Sequence, residues 1–417
     1  WVFTSPEGFY YIVSHTYLED VAYVFTFDPT SGNLVFSGVP FLDVFPDCSM
    51  AVTALNGQGF KLQCTGDALI GILVNEDFAD IGIIDKIEET GRLPGNHIIN
   101  TVRNVKYIHI PKNSKCPKTS IFKEFQVNNN HYYCDTYDMT NLFPNDGSAI
   151  DEGFVWNKSW RKPFEDIGMQ RFCINLIQGV VLTSNFKNSD FNITYVARRS
   201  VMNPGTRYFA RGLNDLNQPG NEVECELIFV KNNEDKFWTV RWRRGSIPIR
   251  WKTILSSKIS APKHCVDSNY FEGTSEYFQS LQKRFGSDIP IRIISLLDGN
   301  NNAEENSEIE IKTYFRKALE RLDEVGIHNV YFTPFDLNRF LHSNGTKELM
   351  VDFVSFIGPL VESDGFNFGT LPLKVEIKQK GLMRFNCADS LDRTNVACFY
   401  YAVKLTAEWC LNQKIGK

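Results

Sequence analysis

The chain has 417 residues, too many for one ordinary domain and enough for two or three. With 43% hydrophobic and 22% charged residues it is a globular chain with ample core material. Its net charge of −5 lacks the overall basic footprint of a nucleic-acid binder, and no apolar run reaches the roughly 18 residues that span a bilayer. The 33 Phe and 16 Tyr predict aromatic-rich cores rather than stacking platforms. Ten cysteines are scattered without a Cys-x-x-Cys pair, as in a reduced, cytosolic protein. They and the seven His show no metal-ligand spacing, so neither a metal nor a cofactor is expected. The start at Trp1 has no signal-peptide logic, and the chain reads as a fragment of a longer protein.

Residues 1–110 read as strands joined by turns. Phe9-Tyr-Tyr-Ile-Val-Ser14 and Ala22-Tyr-Val-Phe-Thr-Phe27 are β-branched and aromatic, and Asp28-Pro-Thr-Ser-Gly32 is a turn before Leu34-Val-Phe36. Phe60–Cys64, Ala68–Val74 and Val105–Ile110 continue the series. The polar stretch from 112 to 165 predicts a short helix and a connection. Beyond it, strands are expected at Phe172–Leu182, Asn192–Ala197, Glu224–Val230, Phe237–Trp242, Ile291–Leu297 and Val330–Thr333. Helical spacing runs through Glu276–Phe285 and Asn306–Val325. The expected architecture is a β-rich first domain over 1–160 and an α/β domain over 161–417, truncated at its C-terminal end.

One segment concentrates reactive groups. Leu382–Asn386 reads as a short strand, and from Asn395 to Lys414 helix formers run without Gly or Pro. Cys387–Thr394 therefore lies between a strand and a helix N-terminus, where N–H groups and the helix dipole favour phosphate. Cys387 is the candidate nucleophile. Of the ten cysteines only this one has Arg six residues on, so that Arg393 is expected to face the sulfur, lower its pKa and grip phosphate oxygens. The expected chemistry is attack by Cys387, then hydrolysis of phosphocysteine. Asp389 and Asp392 are both candidates for the general acid, with Asp389 preferred. Ala388, Ser390, Leu391 and Thr394 are expected to cradle the phosphate, and Thr394 equally to cap the helix. Lys380 and Arg244 are candidate contacts for the rest of the headgroup.

The segment resembles the Sac family of phosphoinositide phosphatases, whose signature is Arg-x-Asn-Cys-x-Asp-Cys-Leu-Asp-Arg-Thr-Asn. Arg384, Asn386, Cys387, Asp389, Leu391, Asp392, Arg393, Thr394 and Asn395 match, while Phe385 replaces a usual Thr and Ser390 the usual second Cys. The wording Phe-Asn-Cys-Ala-Asp-Ser resembles the long plant-type Sac proteins. Further similar blocks are Tyr137–Thr140, Phe154–Asn157, Ala197–Ser200, Gly205–Tyr208, Arg211-Gly-Leu, Asn221–Glu226, Arg244–Pro248 and Gln379–Gly381. At Asn338 the family usually has His. The resemblance implies a β-rich Sac domain followed by a catalytic domain, no metal, and phosphatidylinositol phosphates as substrates on anionic membrane surfaces. The protein would then sit at the cytosolic face of membranes. A module that binds phosphoinositides without turnover is the alternative.

Between Lys236 and Lys252 lie six basic residues and no acid: Lys236, Arg241, Arg243, Arg244, Arg250 and Lys252. They suit an anionic leaflet, or structural pairing with Glu222, Glu224 and Glu226. Arg198, Arg199 and Arg207 are expected to be structural ion-pair partners, and His328 and His342 ordinary solvated or satisfied side chains; the helix after Asn395, apolar nearly all round, reads as core rather than a membrane helix.

Overall fold

The computed structural model describes residues 1–113, 116, 119–120, 122, 129–145, 147–185, 191–231, 235–254, 263–297, 307–371 and 374–414. They form a mixed α/β protein of two compact units, residues 1–141 with 147–183 and residues 142–146 with 184–417.

The first unit starts with β1 (Val2–Thr4), β2 (Tyr10–Thr16), β3 (Glu19–Asp28), β4 (Asn33–Val35) and β5 (Val44–Phe45). With β6 (Lys61–Cys64) they make a sheet in the order β4-β3-β2-β1-β6, β5 pairing with β3. The β3–β4 turn is local chemistry: Asp28 accepts from the Thr30 N–H at 2.8 Å and the Ser31 hydroxyl at 2.7 Å, and Gly32 takes φ +78°. Helix α1 (Cys48–Gly57), which the strand reading passed over, is capped by Asp47, whose side chain accepts from the Met50 N–H at 2.8 Å.

Strands β7 (Ala68–Val74), β8 (Phe78–Leu93), β9 (His97–Pro111), β10 (His131–Tyr133) and β11 (Ile177–Asn185) pair antiparallel in that order. Leu69, Ile72 and Ile81 of this sheet share one core with Val2, Ile12, Phe25 and Phe27 of the other, closed by Phe164 of α2 (Lys158–Asp166). Helix α2 and most of β11 thus belong to the first unit, beyond the boundary expected at 160. The strand expected over 172–182 starts only at Ile177, after a 3-10 turn at Gln170–Phe172.

The second unit is a sheet covered on both faces. Long antiparallel strands β12 (Phe191–Arg199), β13 (Val223–Lys231) and β14 (Lys236–Ser246) build one half. The hairpin β15 (Trp251–Ile254) and β16 (Lys263–Val266), α3 (Thr274–Phe285), β17 (Ile291–Ser295), α4 (Ser307–Glu320) and β18 (Val330–Pro334) follow. Then come α5 (Leu337–Asp364), β19 (Asn367–Thr370), β20 (Lys374–Ile377), β21 (Leu382–Cys387) and α6 (Asp392–Asn412). Strand β21 lies between β14 and β17, parallel to both, and β17 pairs parallel with β18.

One face packs Phe353, Ile357 and Val361 of α5 and Ala397, Tyr401, Leu405 and Trp409 of α6 against Trp242, Ile294, Met383 and Phe385. The other packs Tyr277, Phe278 and Leu281 of α3 and Ile311, Phe315 and Ala318 of α4 against Ile291, Ile293 and Leu382. Helices on both faces explain the near-continuous apolar reading of the parallel strands. Helix α6 is core, as expected, but along a single stripe, with Phe399 and Leu411 exposed. Among the described residues no helix is long and apolar enough to cross a membrane.

Candidate active site

The loop after β21 sits where two parallel neighbours and a helix start converge. Register places Asn386 beside Gly245 and Ser295, and Cys387 beside Ser246. The period-2 alternation of a strand then sorts the side chains. Met383, Phe385 and Cys387 belong to the α5/α6 core. Arg384 and Asn386 turn the other way. Arg384 is fully buried; it donates to the Tyr277 hydroxyl at 2.6 Å and to Glu222 at 2.8 Å, and also bonds the Asn386 carbonyl oxygen Oδ1. Gly245 is required beside it, because a Cβ there would collide with Glu222 Oε2 and Arg384 Nη2. Arg384 is therefore a strut beneath the loop.

Cys387 Sγ is buried. It accepts from the Ser390 N–H at 3.1 Å and lies 3.7 Å from Asp389 Oδ1, toward which its S–H points. Ser390 reaches this position with φ +57°, in a region that costs a non-glycine residue about 1 kcal/mol. Arg244 holds the turn: its Nη1 donates to the Ser390 carbonyl at 2.5 Å and lies 3.3 Å from the Thr394 hydroxyl. Ser246 donates to the Ala388 carbonyl at 2.7 Å. Thr394 Oγ1 is 3.3 Å from the Leu391 carbonyl, a bond inside the first turn of α6.

Three residues from the β12–β13 connection complete the loop's surroundings. Asn221 donates to the Asp389 carbonyl at 3.1 Å. Arg211 reaches Asp389 Oδ2 at 3.1 Å. Arg207 is 3.6 Å from the same oxygen and pairs with Asp392, which stands exposed in the first turn of α6. Arg207 is thus an ion-pair partner, as expected, and its partners are carboxylates of the loop itself. Arg211 and Asn221 lay within quoted family blocks, but nothing in their local sequence marks them as neighbours of Cys387.

Arg393 lowers the Cys387 thiol as expected, but not enough to outweigh burial, and its hydrogen bonds go elsewhere. Arg393 turns to α4, donating to both oxygens of Glu308 at 2.8 and 2.6 Å and to the Leu296 carbonyl at 3.1 Å. Burial pushes the Cys387 thiol above its ordinary value; Arg393 lowers it, Asp389 raises it, and the loop amides lower it without overcoming the burial. The buried sulfur is held as a thiol at neutral pH.

Lys380 is not brought to the loop. It is exposed at the amino end of β21, and the strand's roughly 17 Å separate it from the carboxyl end where Cys387 stands. Most of the basic run is structural too. Arg243 pairs with Glu222 and Glu224, Arg241 donates to the Phe143 carbonyl, and Arg250 meets Asp215 and Glu272. Arg198 bridges Glu224 and Glu226, and Arg199 bonds Asn221, so only Arg244 of the run reaches the loop. His328 is an exposed partner of Asp323; the side chains of Asn338 and His342 lie outside the described residues.

A family model described as the SacI homology domain matches residues 67–342, about two thirds of the sequence. The chain belongs to the SacI homology family. Phosphatidylinositol-3-phosphatase SAC1 of Saccharomyces cerevisiae is 26% identical over 80% of this chain and 55% of its own length. Phosphoinositide phosphatase SAC5 of Arabidopsis thaliana is also 26% identical, over 83% of this chain and 51% of its own. For phosphatidylinositol-3-phosphatase SAC1-A of Danio rerio the identity is 26%, over 64% and 46%. Equal identities to the yeast and plant relatives do not single out the plant type. This SacI homology chain spans about half the length of the curated relatives it matches.

Proposed function

We propose that the chain hydrolyses phosphate monoesters of phosphatidylinositol phosphates through a phosphocysteine on Cys387, as a Cys-x5-Arg phosphatase. The observation that carries this is the contact between Cys387 Sγ and Asp389 Oδ1 in the loop between β21 and the start of α6. The S–H proton passes to Asp389 as the sulfur attacks phosphorus. The P–O bond to the inositol ring breaks, and the same proton leaves Asp389 for the departing oxygen. Water then attacks phosphocysteine, the S–P bond breaks, and inorganic phosphate and the free thiol return. Asp392 is a poorer acid by position, being exposed in the first turn of α6, whereas Asp389 is the one that touches the sulfur. The backbone amides of Ala388, Leu391 and Thr394 bind the phosphate oxygens, while the Ser390 amide holds the sulfur. Arg244 fixes the loop, and Lys380 has no part in it.

Arg393 must exchange Glu308 for a phosphate oxygen before it can act. A dianionic phosphate offers the guanidinium a stronger partner than one carboxylate, so substrate itself draws the exchange. Relatives named phosphoinositide phosphatases support the substrate class.

The test is phosphate release from a panel of short-chain phosphatidylinositol phosphates. Wild type should turn over at least one lipid and Cys387→Ser none. Release by neither protein, both folded, sinks the enzyme reading. In that case the Arg393–Glu308 pair favours the second reading, a phosphoinositide-binding module without turnover, which vesicle binding would establish.

A further inference from the structure

Far from Cys387 in sequence, the first unit sets another cysteine beside a histidine and a carboxylate. Register places Asp80 of β8 directly opposite His109 of β9. Both side chains are buried, and His109 Nδ1 meets Asp80 Oδ1 at 2.7 Å. The other Asp80 oxygen accepts from the Ser120 hydroxyl at 2.8 Å, so the carboxylate is held and in turn fixes the ring. Past the end of β9 the chain is tied back to the β7–β8 turn. The Lys112 N–H donates to the Asp77 carbonyl and the Asn113 amide to Asp77 Oδ1, each at 2.8 Å. The Cys116 N–H then bonds the Asn113 carbonyl at 3.3 Å, and Cys116 Sγ stands 3.7 Å from His109 Nε2. Cys116 itself is only partly buried. A nucleophile, a base and a carboxylate that orients the base make up the arrangement used in nucleophilic catalysis.

We propose that Cys116, with His109 as its base and Asp80 positioning that base, accepts an acyl group from a thioester of the coenzyme A class. The sulfur attacks the thioester carbonyl carbon as its proton passes to His109 Nε2. The bond from that carbon to the donor sulfur breaks, and the proton moves from His109 to the departing thiolate. Cys116 is left as a thioester and the donor as a free thiol, with no change in oxidation state. Partial burial, with Asp77 and Asp80 nearby, pushes the Cys116 thiol up. No standing thiolate therefore awaits a peroxide, and attack needs a base. Lys112, Lys115 and Lys118, all within four residues of Cys116 in sequence, suit the phosphates of such a donor. Phe122, whose N–H donates to Ser120 Oγ at 3.1 Å, packs with Tyr107 and Trp160 and gives an acyl chain an aromatic neighbour. A fatty chain among these lysines would put two membrane signals in one segment.

The test incubates the whole chain with octanoyl-coenzyme A at neutral pH, without any acyltransferase, and locates hydroxylamine-sensitive acyl groups by peptide mass spectrometry. Cys116 should acylate at least about tenfold faster than Cys48 and Cys134, which are partly buried like it. His109→Gln, shown to be folded by its thermal midpoint, should lose that advantage, and Asp80→Asn most of it. Cys116→Ser should carry no acyl group in this segment. It should release phosphate from a phosphatidylinositol phosphate at the wild-type rate, which keeps this step apart from the chemistry proposed at Cys387. If His109→Gln does not fold, the comparison of cysteines within the wild type decides alone. Equal acylation of Cys116 and Cys48 in the wild type, or full acylation of Cys116 in a folded His109→Gln, overturns the proposal.

Discussion

Two sets of arginines in the second unit meet different oxygens. Around β13, Glu224 is fully buried and takes Arg198 at 3.0 Å, Arg243 at 2.7 Å and Arg284 at 2.6 Å. Around the loop, Arg244 is satisfied by a backbone carbonyl, Arg207 and Arg211 by loop carboxylates, and Arg393 by Glu308 on another helix. The first set is saturated by side chains that rigid strands hold in place. The second is matched by groups at the carboxyl end of a central strand, which the proposed phosphate would replace. Basic charge alone does not mark a phosphate site; what marks it is cations whose present partners can be exchanged.

The largest expected effect tests the exchangeable set. Arg393→Ala should cut phosphate release at least 10³-fold, a loss of about 4 kcal/mol in the transition state, with a thermal midpoint close to wild type. A variant that retains a tenth of the activity would remove Arg393 from the mechanism. The saturated set should behave in reverse. Arg284→Ala leaves Glu224 short of a partner and should destabilise the unit by about 3 kcal/mol, read in a urea titration.

The same network sets a pH prediction. Burial alone would raise the Glu224 carboxyl, but Arg284, Arg243 and Arg198 outweigh it and hold the group well below its ordinary 4.5. A carboxyl with a lowered folded pKa contributes stability above its unfolded value and loses it as pH falls. Unfolding free energy should therefore decline by about 1.4 kcal/mol per pH unit below 4.5 from this group, and Glu224→Gln should flatten that slope. An equally steep slope in the variant would assign the acid sensitivity elsewhere.

Smaller effects follow at the loop. Alkylation of Cys387 by iodoacetamide should be slower than that of free cysteine at pH 7.5 and should quicken as pH rises, because burial holds the proton on sulfur. Glu308→Gln should speed it about threefold by releasing Arg393 toward the thiolate, a gain of ~0.7 kcal/mol. No change would mean that Glu308 does not hold the loop in its resting arrangement.

Much of this was legible in the residues. The strand–loop–helix around Cys387 and the strands β12 to β14 follow from short-range pattern. Helix α1 was not read, although Asp47 at its cap is a local signal. Helix α5 has an apolar run interrupted by Gly358 and Pro359, and its place is fixed by packing of Phe353 and Ile357 on the sheet. The site was half legible. Cys387, Asp389 and Arg393 are near in sequence, whereas Arg207, Arg211 and Asn221 arrive through the β12–β13 connection, about 170 residues away. The Glu308 partner of Arg393 was equally hidden, since no local rule links the start of α4 to the start of α6. Burial, not motif, decided the state of the sulfur.

Strand parity in β21 has a consequence for reading genomes. Cys387 shares a face with Phe385 and Met383, and Arg384 shares the other with Asn386. Insertion of one residue between Leu382 and Arg384 would leave every letter from Arg384 to Asn395 intact. It would also set the downstream loop and the upstream hydrophobic alternation one step out of phase. Such a gene would still score as carrying the signature while encoding an inert protein, so single-codon insertions before the loop are the variants a motif scan will misjudge.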